Sequence, residues 1–349
     1  KIHLMRYYGN KTKLLDFISS STKDLDISKD MTFFDLFSGT ASVSKHFKKL
    51  DFSVISNDFL YFGYVLATTG ISINKSPRFS KLKKTLNIKC DIVEYLNSIK
   101  GNPDFITKNY TPYLENNRQY FSIENGIKID SIRITIEKWH STNLIDHKEY
   151  CYLITSLLLA VSKVSNISGT YGSFLKKWDN RALKKLFLNH PDCIHSNKPQ
   201  IALNEDAEKI VDQYEVDILY LDPPYNSRQY ASNYFLLELI AEGWFNKNKP
   251  KIYGHTGMRP YNHQKSKFSM KREALNALKN VVNKAKAKYI LLSYNNEGII
   301  SSSDIVEILS KRGNVTTKKF NHKRYRSIGQ DGSLNKTTEY LYILEIKGI

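Results

Sequence analysis

The chain has 349 residues, 41% hydrophobic and 25% charged, which excludes wholesale disorder and allows one large domain or two ordinary ones with a substantial core. Lys and Arg number 52 against 34 Asp and Glu, a net charge of +18 that points to a polyanionic partner, nucleic acid first among them. Cys90, Cys151 and Cys193 stand far apart with no CxxC pair, which excludes a disulfide framework or zinc knuckle and fits a reducing, cytoplasmic setting.

In chain order, "KIHLMRYYGNK" opens with charges but no apolar run or small-residue cleavage site, so secretion is not expected. It has no initiator Met, and a few native residues are expected to be missing. "MTFFDLFSGTASVSKHFKKL" (31–50) reads as a strand, a Gly-containing turn and a helix with Val43, Phe47 and Leu50 on one face. "FSVISND" (52–58) is the next strand, and strand, helix, strand predicts a parallel sheet. From about 75 to 200 the pattern changes to helical segments mixed with polar stretches. Its apolar run "CYLITSLLLAV" (151–161) is about half a membrane span and reads as a buried helix, so no membrane is expected.

The sheet pattern resumes with "NEDAEKIVDQYEVDILYLDPPY", then "AKYILLSYNN" (287–296), the helix "SSDIVEILSKR" and two strands near "NVTTKKFNH" and "TTEYLYILEI". The expected architecture is α/β: a doubly wound, mostly parallel sheet built from residues 1–74 and 201–349, carrying an inserted, mainly helical block at 75–200.

Ligands of such sheets bind at the carboxyl ends of strands, and three predicted strands end in acids: Asp35, Asp58 and Asp222. In "DLFSGTAS", Gly39 lets the turn approach a ligand, and the helix behind it offers unpaired N–H groups. Asp58, one βαβ unit later, suits ribose hydroxyls. Ala41 stands where a dinucleotide fingerprint requires a second Gly, so a nucleoside cofactor without a diphosphate fits better than NAD.

In "LYLDPPYN" (219–226) the two prolines remove backbone donors and leave carbonyls free. The Asp222 carboxylate and Pro223 carbonyl then form a rigid pair of acceptors suited to a planar amino group, with Tyr225 offering a face for a base. The nine histidines show no ligand spacing, and no metal is expected.

"DPPY" after an apolar strand, with "DLFSGTAS" before it, resembles the amino-methyltransferases that use S-adenosylmethionine, in particular the DNA adenine-N6 methyltransferases of the DNA adenine methylase class. "RYYGNKTKLLDFI" (6–18), "VSKVSNISGTYGSFLKKW" (161–178) and "ILLSYNNEGI" (290–299) are similar to segments of that class, and the motif order matches. The resemblance implies a Rossmann-like methyltransferase fold with the helical block as target-recognition domain. It implies that Tyr8, Gly9, Lys11, Asp35, Phe37, Gly39, Asp58 and Asp206 bind S-adenosylmethionine, and that Asp222, Pro223, Pro224 and Tyr225 receive the target adenine, flipped out of the duplex. Ala41 departs from the commoner F-x-G-x-G loop.

Tyr171, Lys176 and Lys177 in the insert are expected to face double-stranded DNA. Arg228, Arg259, Lys265 and Lys267, in basic and aromatic stretches after the motif, are expected to grip phosphates, with "KKFNHKRYRS" (318–327) a further basic stretch. The expected activity is site-specific adenine methylation by a cytoplasmic, nucleoid-associated enzyme, the modification half of a restriction system whose endonuclease acts separately. Methylation of cytosine N4 or of an RNA base shares the acceptor pair and stays open. A binding-only protein on this fold would tend to lose Asp222 or Tyr225, and both are present.

Overall fold

The computed structural model describes residues 14–23, 25–115, 117–245, 249–323 and 336–347, which fall into two compact units.

One unit, residues 14–59, 196–229 and 265–347, is built on a seven-stranded sheet. Its strands are β1 (Thr32–Asp35), β2 (Ser53–Asn57), β3 (Gln200–Leu203), β4 (Glu215–Leu221), β5 (Lys286–Asn295), β6 (Gly313–Lys323) and β7 (Lys336–Ile346). Their order is β3-β2-β1-β4-β5-β7-β6. The first five run parallel, and β7 lies antiparallel to both β5 and β6. The sheet is thus α/β and doubly wound as the sequence implied, and the order reverses between β1 and β4, where an open sheet of this kind forms its crevice.

Parallel strands are covered on both faces and so read as apolar runs. On one face Phe34, Leu219, Ile290 and Leu292 join Leu278, Val281 and Val282 of the helix Ala274–Lys284, with Ile305 and Leu309 of Ser302–Ser310. One residue earlier the pleat turns Phe33 to the other face, where it stacks on Phe47 of the helix Ser42–Lys49 at 3.7 Å. Val43 and Phe47 are buried as the periodicity predicts, but Leu50 is 43% exposed. The helix stops at Lys49, and Asp51 at φ +67° turns the chain away before Leu50 can dock. β3 has no counterpart among the predicted strands. Its four residues are half-exposed at the sheet edge and carry no strong alternation, and Gln200 clips it to β2 by accepting from Val54 N–H and donating to the Phe52 carbonyl.

The other unit, Leu60–His195 and Tyr230–Gln264 among the described residues, is mainly helical. Residues 230–264, which the sequence pattern assigns to the sheet domain, cluster here instead. Its two longest helices are Ile123–Ser141, capped by Ser122, and His147–Val164, capped by Asp146 in a reciprocal capping box with Glu149. The apolar run 151–161 lies in the second of these and is buried. Two interior charges of the first helix serve its neighbours. Asp130 accepts the N–H groups of Asp104, Ile106 and Thr107 at the start of the helix Phe105–Tyr110. Arg133 donates to the Ile240 and Ala241 carbonyls at the end of Phe235–Glu242. Buried charge is tolerated here because each group meets orphan backbone partners of the matching sign. No helix among the described residues is long and apolar enough to cross a membrane.

Candidate active site

The carboxyl edge of the sheet gathers the predicted acids. Asp35 ends β1, with Ser56 of β2 and Tyr220 of β4 opposite it, and is fully buried. The Ser44 hydroxyl lies 2.6 Å from Asp35 Oδ2 and 2.9 Å from Ser56 Oγ, while Asp35 Oδ1 has no hydrogen-bond partner. Burial pushes this carboxyl up from its ordinary 3.8 to about 7; the Ser44 hydrogen bond opposes the rise, and the charges of Asp222 and Asp58 add to it. Both of the other strand-end acids therefore act on Asp35.

The turn after β1 is held from β2. Ser38 N–H donates to the Asn57 carbonyl at 2.9 Å, and Gly39 N–H donates to Asp58 Oδ2 at 2.7 Å. Gly39 sits at φ +52°, and Ala41, at φ +56°, is also left-handed. The commoner glycine would sit there freely, whereas alanine carries a strain of about 1 kcal/mol. Phe37 projects from the loop and meets Phe268 edge-on, ring centres 5.0 Å apart.

Asn57 and Asn204 are site-building residues that sequence reasoning missed. Asn57 Nδ2 donates to the Leu36 and Glu205 carbonyls while its Oδ1 accepts from Glu205 N–H, tying together the tips of β1, β2 and β3. Asn204 donates to the carbonyls of Asp58 and Phe59. The available signal was an Asn beside the strand-end acid in "SND" and another in "LNED". Asp206 uses its carboxylate to cap the helix Ala207–Ile210 through Glu208 N–H, so its position is accounted for by local structure.

Beyond β4, Asp222 and Pro224 are half-buried and Pro223 and Tyr225 buried. The Tyr225 ring stands edge-on to Tyr294 of β5 at 6.1 Å, and its carbonyl accepts Ile299 N–H. The next residues are fastened to 266–269: Gln229 exchanges two hydrogen bonds with the Ser266 backbone, and Ser269 reaches the Arg228 carbonyl. Arg228 and Lys265 are exposed, while Lys267 pairs with Glu208 at 2.7 Å.

Two expected DNA contacts are interior residues of the helical unit. Tyr171 is fully buried and shares its hydroxyl with Ser165. Arg259 is 7% exposed, paired with Glu242 and donating to Gln264, which in turn donates to Glu238. Glu238 holds the Tyr61 and Phe62 N–H groups, so this network fastens one segment to another and keeps the Arg259 guanidinium, whose Nε has no partner, buried. A local sequence cannot separate a basic surface from a basic core network. Lys176 and Lys177 are exposed. Tyr8, Gly9 and Lys11 lie outside the described residues, as do residues 324–327 of the last basic stretch. Among the described residues no three His, Cys, Asp or Glu side chains are arranged to hold a metal ion.

Residues 7–308 match the family model of the D12 class N6 adenine-specific DNA methyltransferase. The chain belongs to this family. Type II methyltransferase M.FokI of Planomicrobium okeanokoites is 41% identical over 347 residues, covering 98% of this chain and 52% of that protein. Modification methylase StsI of Streptococcus sanguinis is 39% identical, again over 98% of this chain and 52% of the relative. The chain thus spans about half the length of these two. Type II methyltransferase M.NlaIII of Neisseria lactamica is 35% identical over 98% of this chain and 99% of its own length.

A methyltransferase needs a methyl donor, and the sheet edge has the chemistry to hold one. Asp35 Oδ1 and Ser38 Oγ are buried without partners. A nucleoside amino acid bearing ammonium and hydroxyl donors would satisfy an acceptor such as Asp35 Oδ1.

Proposed function

We propose that the chain transfers a methyl group from S-adenosylmethionine to N6 of adenine in duplex DNA, at a specific site, as the modification component of a restriction-modification system. The observation that carries this reading is the convergence of Asp58 and Asp222 on Asp35, where β1, β2 and β4 end beside the sheet's reversal point. Family membership and the type II relatives support it. In this reading the enzyme works in the cytoplasm on nucleoid DNA, and a cognate endonuclease acts separately. The helical unit carries target recognition.

Asp35, Phe37, Gly39 and Asp58 would hold S-adenosylmethionine, with Tyr8, Gly9 and Lys11 at its amino-acid end and Asp206 towards its adenine. Bound there, S-adenosylmethionine supplies an electrophilic methyl on a sulfonium. An exocyclic amine is a poor nucleophile because its lone pair is delocalised into the ring. Asp222 and the Pro223 carbonyl accept its two N–H bonds, draw the nitrogen towards tetrahedral geometry and free the lone pair; Asp222 stands ready for the proton that the amine then loses. Pro224 keeps the turn rigid, and Tyr225 gives the extruded base a face to stack on, recovering part of the few kcal/mol that flipping costs. Alignment of the reacting atoms supplies much of the rate.

The test is incubation with S-adenosylmethionine and mixed-sequence duplex DNA, followed by digestion to nucleosides and mass spectrometry. N6-methyladenine is expected, and Asp222→Ala should lower its formation by at least about a hundredfold while calorimetry finds the cofactor still bound. N4-methylcytosine, or methylation of RNA alone, would overturn the assignment of the substrate.

A further inference from the structure

Within the helical unit, the segment 179–188 forms an irregular loop whose backbone is firmly held. Asn125 donates from Nδ2 to the Ala182 and Lys184 carbonyls and accepts Leu186 N–H on Oδ1. Asn97 brackets Leu188 in the same two-way manner, and Asn166 Oδ1 accepts Asp179 N–H. Ala182, Leu186 and Leu188 point inward and are buried. Such anchoring fixes what the loop turns outward.

Turned outward are Leu183, 57% exposed, and Phe187, 60% exposed, the two most exposed large hydrophobic side chains among the described residues. Single exposed apolar residues are ordinary. Two on one pinned loop, outside the unit's hydrophobic cluster, are less so. The stretch 176–188 that carries them also holds the exposed cations Lys176, Lys177, Arg181, Lys184 and Lys185, against one acid within it, Asp179, which is already paired with Arg181. A protein partner that covered Leu183 and Phe187 would have to desolvate or pair the four lysines as well. Duplex DNA supplies anionic phosphates for the lysines and, in its grooves, base steps against which an apolar side chain can wedge.

We propose that the loop 179–188 is a duplex-DNA contact in which Lys184 and Lys185 hold phosphates and Leu183 and Phe187 press into the base stack. It rests on duplex DNA being the substrate and adds a wedge that supports a distorted duplex, the state from which a base is most cheaply extruded. The sequence pattern points to DNA contacts in this region at Tyr171, Lys176 and Lys177; the buried Tyr171 gives way to side chains a dozen residues later that protrude.

Two double variants test it on the full chain with a short mixed-sequence duplex, by fluorescence anisotropy across a salt series and by methylation rate. Leu183→Ser with Phe187→Ser should weaken binding about tenfold and slow methylation, with the slope of log K against log salt unchanged. Lys184→Gln with Lys185→Gln should reduce that slope by about 0.9 for each phosphate the two lysines neutralise. All four side chains are exposed, so thermal midpoints should stay put, and weaker binding then reflects the missing side chains themselves. Wild-type affinity and rate in the Leu183 and Phe187 variant overturn the wedge, as does a change in its oligomeric state by light scattering with DNA binding intact, which would mark a protein interface. If the wild type methylates no DNA while both variants lose DNA affinity as described, the loop assignment stands and the reading of the reaction falls.

Discussion

Asp35→Asn separates what the site costs from what it does. The buried carboxyl is held up at about 7 against an ordinary 3.8. The native state therefore keeps its proton where the unfolded chain has lost it, and stability falls as pH rises from near 4 to near 7, then levels off. About three pH units at roughly 1.4 kcal/mol each make the ionised form cost on the order of 4 kcal/mol at pH 8. Asparagine removes that charge and retains an oxygen for Ser44, but it turns an N–H₂ towards the place where Oδ1 had no partner, a penalty of about 1–3 kcal/mol. The net gain at pH 8 is about 2 kcal/mol, or roughly 4–8 °C for a cooperative unit of 150–250 residues. Near pH 4 the carboxyl is protonated in the folded and the unfolded chain alike, the gain vanishes and the penalty remains. Calorimetric melts of both proteins from about pH 4 to 8 should show the difference in midpoint change sign. Titration with S-adenosylmethionine should show the variant losing affinity, and wild-type affinity rising with pH up to about 7, because a cationic ligand needs the ionised acid. A midpoint difference independent of pH would refute the raised pKa. Undiminished affinity would remove Asp35 from the cofactor's site.

Asp58→Ala takes away the acceptor of Gly39 N–H as well as a carboxylate, and should raise the cofactor's dissociation constant by about tenfold or more; unchanged affinity by calorimetry means that another acid serves the ribose. Arg259→Ala leaves Glu242 and Gln264 short of a partner and should destabilise the helical unit by about 3 kcal/mol, with the salt dependence of DNA binding unaltered; a shallower salt slope at an undisturbed melting midpoint would restore Arg259 as a phosphate contact. Tyr220→Phe removes a buried hydroxyl that has no hydrogen-bond partner while keeping the ring beside Phe33. Stability should hold or rise by about 1 kcal/mol, and a clear loss in a denaturant titration would show that the hydroxyl is bonded after all.

The strands and the three acids were legible because parallel strands buried on both faces announce themselves as apolar runs, and the residue that ends each run falls at the sheet's carboxyl edge whatever the rest of the chain does. Asp35, Asp58 and Asp222 needed only that argument. β3 was not legible, because four half-exposed edge residues carry no pattern. Asn57 and Asn204 were missed for a related reason: both act through backbone groups of segments far away in sequence, and no local spacing encodes that. The basic residues divided the same way. Lys176 and Lys177 are exposed, whereas Arg259 and Tyr171 are buried beside Glu242 and Ser165, partners that local spacing does not single out.

Among the described residues of the sheet unit, three polar side-chain atoms are buried without partners: Asp35 Oδ1, Ser38 Oγ and the Tyr220 hydroxyl. All three lie at or next to the carboxyl ends of β1 and β4. A fold optimised for stability alone would close these positions, since each open one costs about 1–3 kcal/mol. Clips such as Asn57, which only hold the chain together, are satisfied at both polar atoms, and within the described sheet unit the unsatisfied groups gather where the sheet order reverses. That distribution is what a ligand site requires: the groups left open by the fold are those a bound molecule closes, so binding and stability draw on the same atoms. It follows that saturating the protein with S-adenosylmethionine should raise the melting midpoint of the wild type and leave that of Asp35→Asn nearly unmoved. An equal rise in both would mean that the open positions at the sheet edge are not where the cofactor binds.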